Sequence, residues 1–213
     1  MTFITRRSAL IGAAGAMLAA EAPHAQTSQI RLRILGTSDL HMFALDWDYF
    51  LNRPDPTVGL TKLATLIKQA RSEAQNCLLL GDYLATEERK RDPIHPFLAG
   101  MNSLGYDAAT LGNHEFNFGL PFLERALKSA EFPFVCANVY GPDGRTLLPP
   151  FVILQRQVVD TGGSIRDIRV GVIGFVPQQI MVWDRVNLEG KVRDQGILES
   201  AKQWLPKVRG QCD

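Results

Sequence analysis

Ala108-Ala109-Thr110-Leu111-Gly112-Asn113-His114-Glu115 sets a short run suited to a buried strand directly against a glycine and three side chains able to hold cations or move protons. The glycine permits a tight turn, the asparagine offers a neutral oxygen and the histidine an imidazole. A second stretch of the same design lies upstream, where residues 31–35 read as a strand and run into Thr37-Ser38-Asp39-Leu40-His41. Polar clusters that follow strands belong at the carboxyl edge of a sheet, the edge at which open α/β folds bind ligands. An Asp and a His two residues apart can turn one oxygen and one nitrogen toward a common point, a pairing that suits Zn, Mn or Fe. Asp-x-His alone is weak evidence, because such a pair is most often a surface turn. The Gly-Asn-His-Glu run is the more specific signal.

Outward from these two clusters, strand-like and helix-like patterns alternate. Leu60, Leu63, Ala64, Ile67 and Ala70 recur at steps of three and four, so residues 59–73 are expected to form an amphipathic helix with its apolar stripe on a sheet. Residues 77–80 then read as a strand, 96–104 as a helix, 108–111 as a buried strand, 121–130 as a helix and 134–137 as a strand. After the turn Gly141-Pro142-Asp143-Gly144 the pattern changes. Two strand-like runs, 151–160 and 168–174, flank Thr161-Gly162-Gly163-Ser164 and read as a hairpin, and 196–208 closes the chain as a helix. The fold class is α/β, a layered sandwich of sheets flanked by helices.

The chain has 213 residues, 46% of them hydrophobic, which is enough for the core of one domain. Lys and Arg number 23 against 22 Asp and Glu, so no net field exists to gather nucleic-acid polymers or anionic lipid. Anion recognition must be local. Three widely spaced cysteines, Cys77, Cys136 and Cys212, do not form a disulfide framework and read as structural thiols. Residues 1–26 read as a signal peptide. Thr5-Arg6-Arg7-Ser8-Ala9-Leu10 places paired arginines before the mild apolar stretch 9–20 and the polar run 21–26, a layout that predicts periplasmic or otherwise exported localisation. The arginines point to the twin-arginine export machinery, with an ordinary secretory signal as the alternative. The apolar stretch falls short of the roughly 20 residues of a membrane span, so no stable membrane anchor is expected. His24 falls with the signal and is set aside.

At Asp39-Leu40-His41, Gly81-Asp82 and Gly112-Asn113-His114-Glu115 the chain resembles the calcineurin-like metallophosphoesterases. Asp46-Trp47-Asp48-Tyr49-Phe50, Gly112 through Leu120 and Pro177-Gln178-Gln179-Ile180-Met181-Val182-Trp183-Asp184 are similar to the bacterial periplasmic 2',3'-cyclic-nucleotide 2'-phosphodiesterase/3'-nucleotidase branch, from about residue 30 onward. The 5'-nucleotidase relatives typically carry Asp where Asn117 stands. The resemblance implies hydrolysis of nucleotide phosphoesters with divalent metal ions, Zn, Mn or similar, two in the family. By motif position Asp39 and His41 are candidate ligands of the first metal and Asn113 of the second. His114 is the candidate catalytic residue, stabilising phosphoryl oxygens or protonating the leaving oxygen. Glu115 is assigned to hydrogen bonding within its own turn.

The chain also departs from the family's pattern. The family's bridging carboxylate lies in an Asn-Gly-Asp segment after the second strand, and a Gly-Asp-Tyr-like helix start follows later. Here a single Gly81-Asp82 remains, and Asp82-Tyr83-Leu84-Ala85 with Ile94-His95-Pro96 matches that helix start in wording and spacing. Asp82 nevertheless follows Leu78-Leu79-Leu80 directly and is kept as a candidate metal ligand that replaces the bridge. His95 is assigned to packing or capping. The family's later Gly-His-x-His segment has no counterpart in residues 27–213, which are therefore expected to be a truncated metallophosphoesterase domain holding at most one metal and exposing a sheet edge. The alternative function is an inactive remnant that binds metal or phosphate.

Overall fold

A computed structural model describes residues 27–41, 43–83 and 95–213. The twin-arginine segment lies outside them, as do residues 84–94. The centre is a four-stranded parallel sheet in the order β1 (Arg33–Gly36), β4 (Cys77–Tyr83), β5 (Ala108–Leu111), β6 (Phe134–Val135). Helices α1 (Leu60–Ser72), α2 (Pro96–Leu104) and α3 (Leu120–Leu127) connect these strands in turn. Between β1 and α1 lies a two-residue pair, β2 (Trp47–Asp48) with β3 (Arg53–Pro54).

Strand alternation sorts the core into two layers. Leu79, Ala109 and Leu111 point to the helical side, where they pack with Ile67, Phe97 and Phe122. Leu78, Leu80 and Ala108 point the other way, onto Leu154, Val170 and Val172 of a long antiparallel hairpin. That hairpin pairs β8 (Phe151–Val159) with β9 (Ile165–Ile173) in register Leu154↔Val170. Its outer face carries Gly171, where a Cβ would run into Val208 of α6 (Ile197–Arg209), and Phe151, whose ring lies 6.1 Å from that of Trp204. The layers are therefore helices, parallel sheet, hairpin and α6. Asn76 ties two of them, donating to the carbonyls of Arg31 and Val159, each at 2.9 Å, and accepting from the Val159 N–H.

The expected elements are present, with ends shifted by at most three residues. His95 caps α2, its Nδ1 accepting from the Phe97 N–H at 3.3 Å, as its position before the helix suggests. One reading is overturned: Asp82 does not open a helix. Gly81, Asp82 and Tyr83 continue β4 and pair with Ala109, Thr110 and Leu111. Backbone pairing to β5 outweighs the local wording that matched a helix start. Elements too short to show a period in sequence are also present: α4 (Ile180–Trp183), α5 (Arg185–Leu188), and β7 (Val139–Tyr140) paired with β10 (Arg193–Asp194). The three cysteines are free, and burial pushes the Cys136 thiol up to about 11, so it fills core volume as an unreactive thiol. Among the described residues no helix is long and apolar enough to cross a membrane.

Candidate functional site

The carboxyl ends of β1, β4 and β5 lie side by side, and the sequence candidates sit on them in that order. Asp39 and His41 follow β1 with φ of 52° and 44°, left-handed conformations that cost a residue with a Cβ roughly 1–2 kcal/mol each. The strain turns both side chains into one exposed corner, with His41 Nε2 4.0 Å from Asp39 Oδ1. Across the sheet edge, the rings of His41 and His114 are 5.2 Å apart at 63°. Asn113 opens a single 3₁₀ turn, His114–Phe116, and its side chain makes no capping hydrogen bond there.

Asp82 occupies the central strand, between the two clusters. Burial holds its carboxyl above the ordinary range. A hydrogen bond from the Asp39 backbone pulls the other way, the Asp39 charge adds to the rise and His41 offsets it. Its Oδ1 is buried without a hydrogen-bond partner. Two glycines let the chain pass closely here, and Gly112 is the one that makes room for this carboxylate. A Cβ on Gly81 would come 2.5 Å from Thr37 Oγ1 and 2.6 Å from the Tyr106 ring, while one on Gly112 would come 2.9 Å from Glu115 Oε2 and 3.3 Å from Asp82 Oδ2.

Glu115 is fully buried behind Asp82, and its Oε2 accepts from the Gly112 N–H at 2.6 Å, closing the turn as the sequence reading assigns it. Burial first, and then the Asp82 charge, hold its carboxyl well above the usual range. Two carboxyls so close in a poorly solvated place resist ionising together. The other Glu115 oxygen lacks a partner. His114 Nδ1 lies 2.9 Å from Asn117 Oδ1, and Asn117 Nδ2 donates to Asp184 Oδ1 at 2.8 Å. The sequence reading gave no role to Asp184, which lies 67 residues from Asn117; its only trace was membership of the Pro177–Asp184 stretch. Among the described residues no three His, Cys, Asp or Glu side chains come together as a metal-holding group.

A family model for the calcineurin-like phosphoesterases matches residues 32–211. The chain belongs to this family. A 2',3'-cyclic-nucleotide 2'-phosphodiesterase/3'-nucleotidase of Yersinia enterocolitica is 39% identical over 97% of this calcineurin-like phosphoesterase chain and 33% of its own length. The trifunctional nucleotide phosphoesterase YfkN of Bacillus subtilis is 42% identical over 88% of the chain and 14% of its own. A YfkN crystal structure superposes with a TM-score of 0.82 at 40% identity, covering 86% of this chain and 59% of that one. The 5'-nucleotidase precursor of Thermus thermophilus gives 0.62 at 25% identity, over 84% and 35%. The chain thus spans about a third or less of the length of these curated relatives. Calcineurin-like phosphoesterases use divalent metals, and the parallel sheet flanked by helices is their fold.

Proposed function

We propose that this chain carries the metal-binding sheet edge of a hydrolase for nucleotide phosphoesters, of the 2',3'-cyclic-nucleotide 2'-phosphodiesterase/3'-nucleotidase type. The observation behind this reading is the Asp82 carboxylate oxygen, buried and without a hydrogen bond, between Asp39 and His41 on one strand end and Asn113 and His114 on another. A buried carboxylate left short of partners is costly unless a cation or hydrogen bond satisfies it. The donor types suit a divalent ion, with carboxylate oxygens from Asp39 and Asp82, an imidazole nitrogen from His41 and an amide oxygen from Asn113, and since they do not stand gathered as a metal-holding group an ion would have to draw them together.

Bound there, Zn, Mn or a similar ion supplies the Lewis acidity that polarises a phosphoryl group and activates water. The protein's own groups hold and orient it. His114 stands beside His41 with Nδ1 engaged by Asn117, so proton transfer falls to Nε2. Water attacks phosphorus and loses a proton to solvent, the phosphorus–oxygen bond to the leaving group breaks, and the ring, carrying protons on both nitrogens, gives that oxygen the Nε2 proton and is left neutral with its proton on Nδ1.

An ion that drew in all four donors would have the coordination number of one zinc, so calorimetry on the metal-free chain should count one ion. Asp82→Asn should weaken it by at least about tenfold, since even groups behind the ligands cost 10–100-fold. Unchanged affinity in that variant would remove Asp82 from the site. Turnover of bis-p-nitrophenyl phosphate or 2',3'-cyclic AMP above a free-metal control supports the hydrolase. Metal binding without turnover supports the binding-only remnant that the sequence leaves open.

We also propose that residues 1–26 direct export through the twin-arginine machinery, because Arg6 and Arg7 immediately precede the apolar stretch. Replacing both by Lys should leave unprocessed precursor in the cytoplasm. Normal processing of the double variant would reduce the segment to an ordinary secretory signal.

A further inference from the structure

The Nδ1 of His114 faces Asn117 Oδ1 at 2.9 Å. A side-chain amide has a donor end and an acceptor end of nearly the same shape, so packing alone does not decide which end meets the ring. Asp184 decides it. Its side chain is buried at the joint between α4 and α5, 6% exposed, and its Oδ1 lies 2.8 Å from Asn117 Nδ2. A carboxylate oxygen only accepts, so the amide must turn its NH₂ to Asp184 and its oxygen to His114. An oxygen that only accepts requires the proton on Nδ1.

The same joint also grips the backbone. Asn187 Nδ2 donates to the carbonyls of Phe116 at 3.1 Å and Asn117 at 2.8 Å, so the loop bearing His114 cannot slide away from Asp184 without breaking three hydrogen bonds. A flipped amide would set its NH₂ against His114, moving the ring proton to Nε2. It would also set two oxygens against each other at Asp184.

We propose that Asp184 is a positioning residue: acting through Asn117, it fixes the proton of neutral His114 on Nδ1 and leaves Nε2 as the nitrogen available outside the fold. Because the intermediary is an amide, the link orients the ring without placing a negative charge in contact with it. The value of that orientation for hydrolysis rests on the proposed function. The orientation itself does not.

Long-range proton–nitrogen correlation on the ¹⁵N-labelled full chain, metal-free at about pH 8.5 where an ordinary histidine of pKa about 6.5 is neutral, reads the tautomer directly. The His114 signals are assigned by their loss in His114→Ala. The expected result is Nδ1–H as the major form in the unaltered chain, and loss of that dominance in Asp184→Ala, with Nε2–H rising as in free imidazole side chains. Nε2–H as the major form in the unaltered chain overturns the proposal, whether or not the variant folds. So does a folded Asp184→Ala that keeps Nδ1–H dominant. Neither readout depends on turnover, so a failed assay of hydrolysis leaves this test intact.

Discussion

Phe116→Ala is expected to destabilise the chain by about 3–5 kcal/mol, the usual cost of removing a large buried aromatic side chain. Phe116 is fully buried at the end of the 3₁₀ turn and packs in the helical-side core. Its carbonyl accepts from Gly119 N–H and Asn187 Nδ2, so the ring and the backbone around it are anchored on different elements. Those anchors keep the turn from collapsing into the space left by the ring, and a cavity that cannot relax carries the larger cost. Domains of this size are stable by only about 5–15 kcal/mol, so the loss would take up much of the margin. Urea unfolding should show a lower midpoint at an unchanged slope. Phe118, two residues along and 38% exposed, is the control, and its replacement by Ala should cost clearly less. Equal losses at the two positions would mean that burial of Phe116 is not what seats the His114 turn.

The same turn shows what could be read in the sequence and what could not. Gly112-Asn113-His114-Glu115 announced a strand-end turn because glycine, a short polar run and a preceding apolar strand are all local. The turn-closing role of Glu115 follows, since the Gly112 N–H it closes on is three residues away, whereas its burial does not show in the sequence. Helix α1 was legible because Leu60, Leu63 and Ile67 keep a helical period over more than one turn. Asp82 was misplaced in the helix-start reading for the opposite reason. Its position in β4 depends on pairing with Thr110 and on the absence of a Cβ at Gly81 where Thr37 and Tyr106 close in, and neither partner is near in sequence. Four-residue helices and two-residue strands leave no period to detect, so the letters Pro177–Asp184 show no shape in the sequence, and Asn187 just beyond them shows none either. The likeness of those letters to a family carried information there that periodicity could not.

His114→Ala is expected to lower metal-dependent hydrolysis of 2',3'-cyclic AMP and bis-p-nitrophenyl phosphate by about 10²–10³-fold. That range is the typical worth of one positioned proton donor or oxyanion partner, about 3–4 kcal/mol of transition-state stabilisation. The number of ions bound should not change, because in the proposed site His114 is not a ligand. Asp82→Asn should reduce hydrolysis through the loss of the ion, and excess metal should recover part of it. No excess of metal restores a proton donor that is gone, so the two variants separate binding from chemistry. Doubling the defects should cost less than the product of the two, since residues that act as a unit are not additive. Turnover insensitive to His114→Ala, with Asp82→Asn equally silent, would place the observed activity in free metal or a contaminant. Turnover sensitive to Asp82 alone would keep the metal site and take the proton-transfer role away from His114, moving it to solvent.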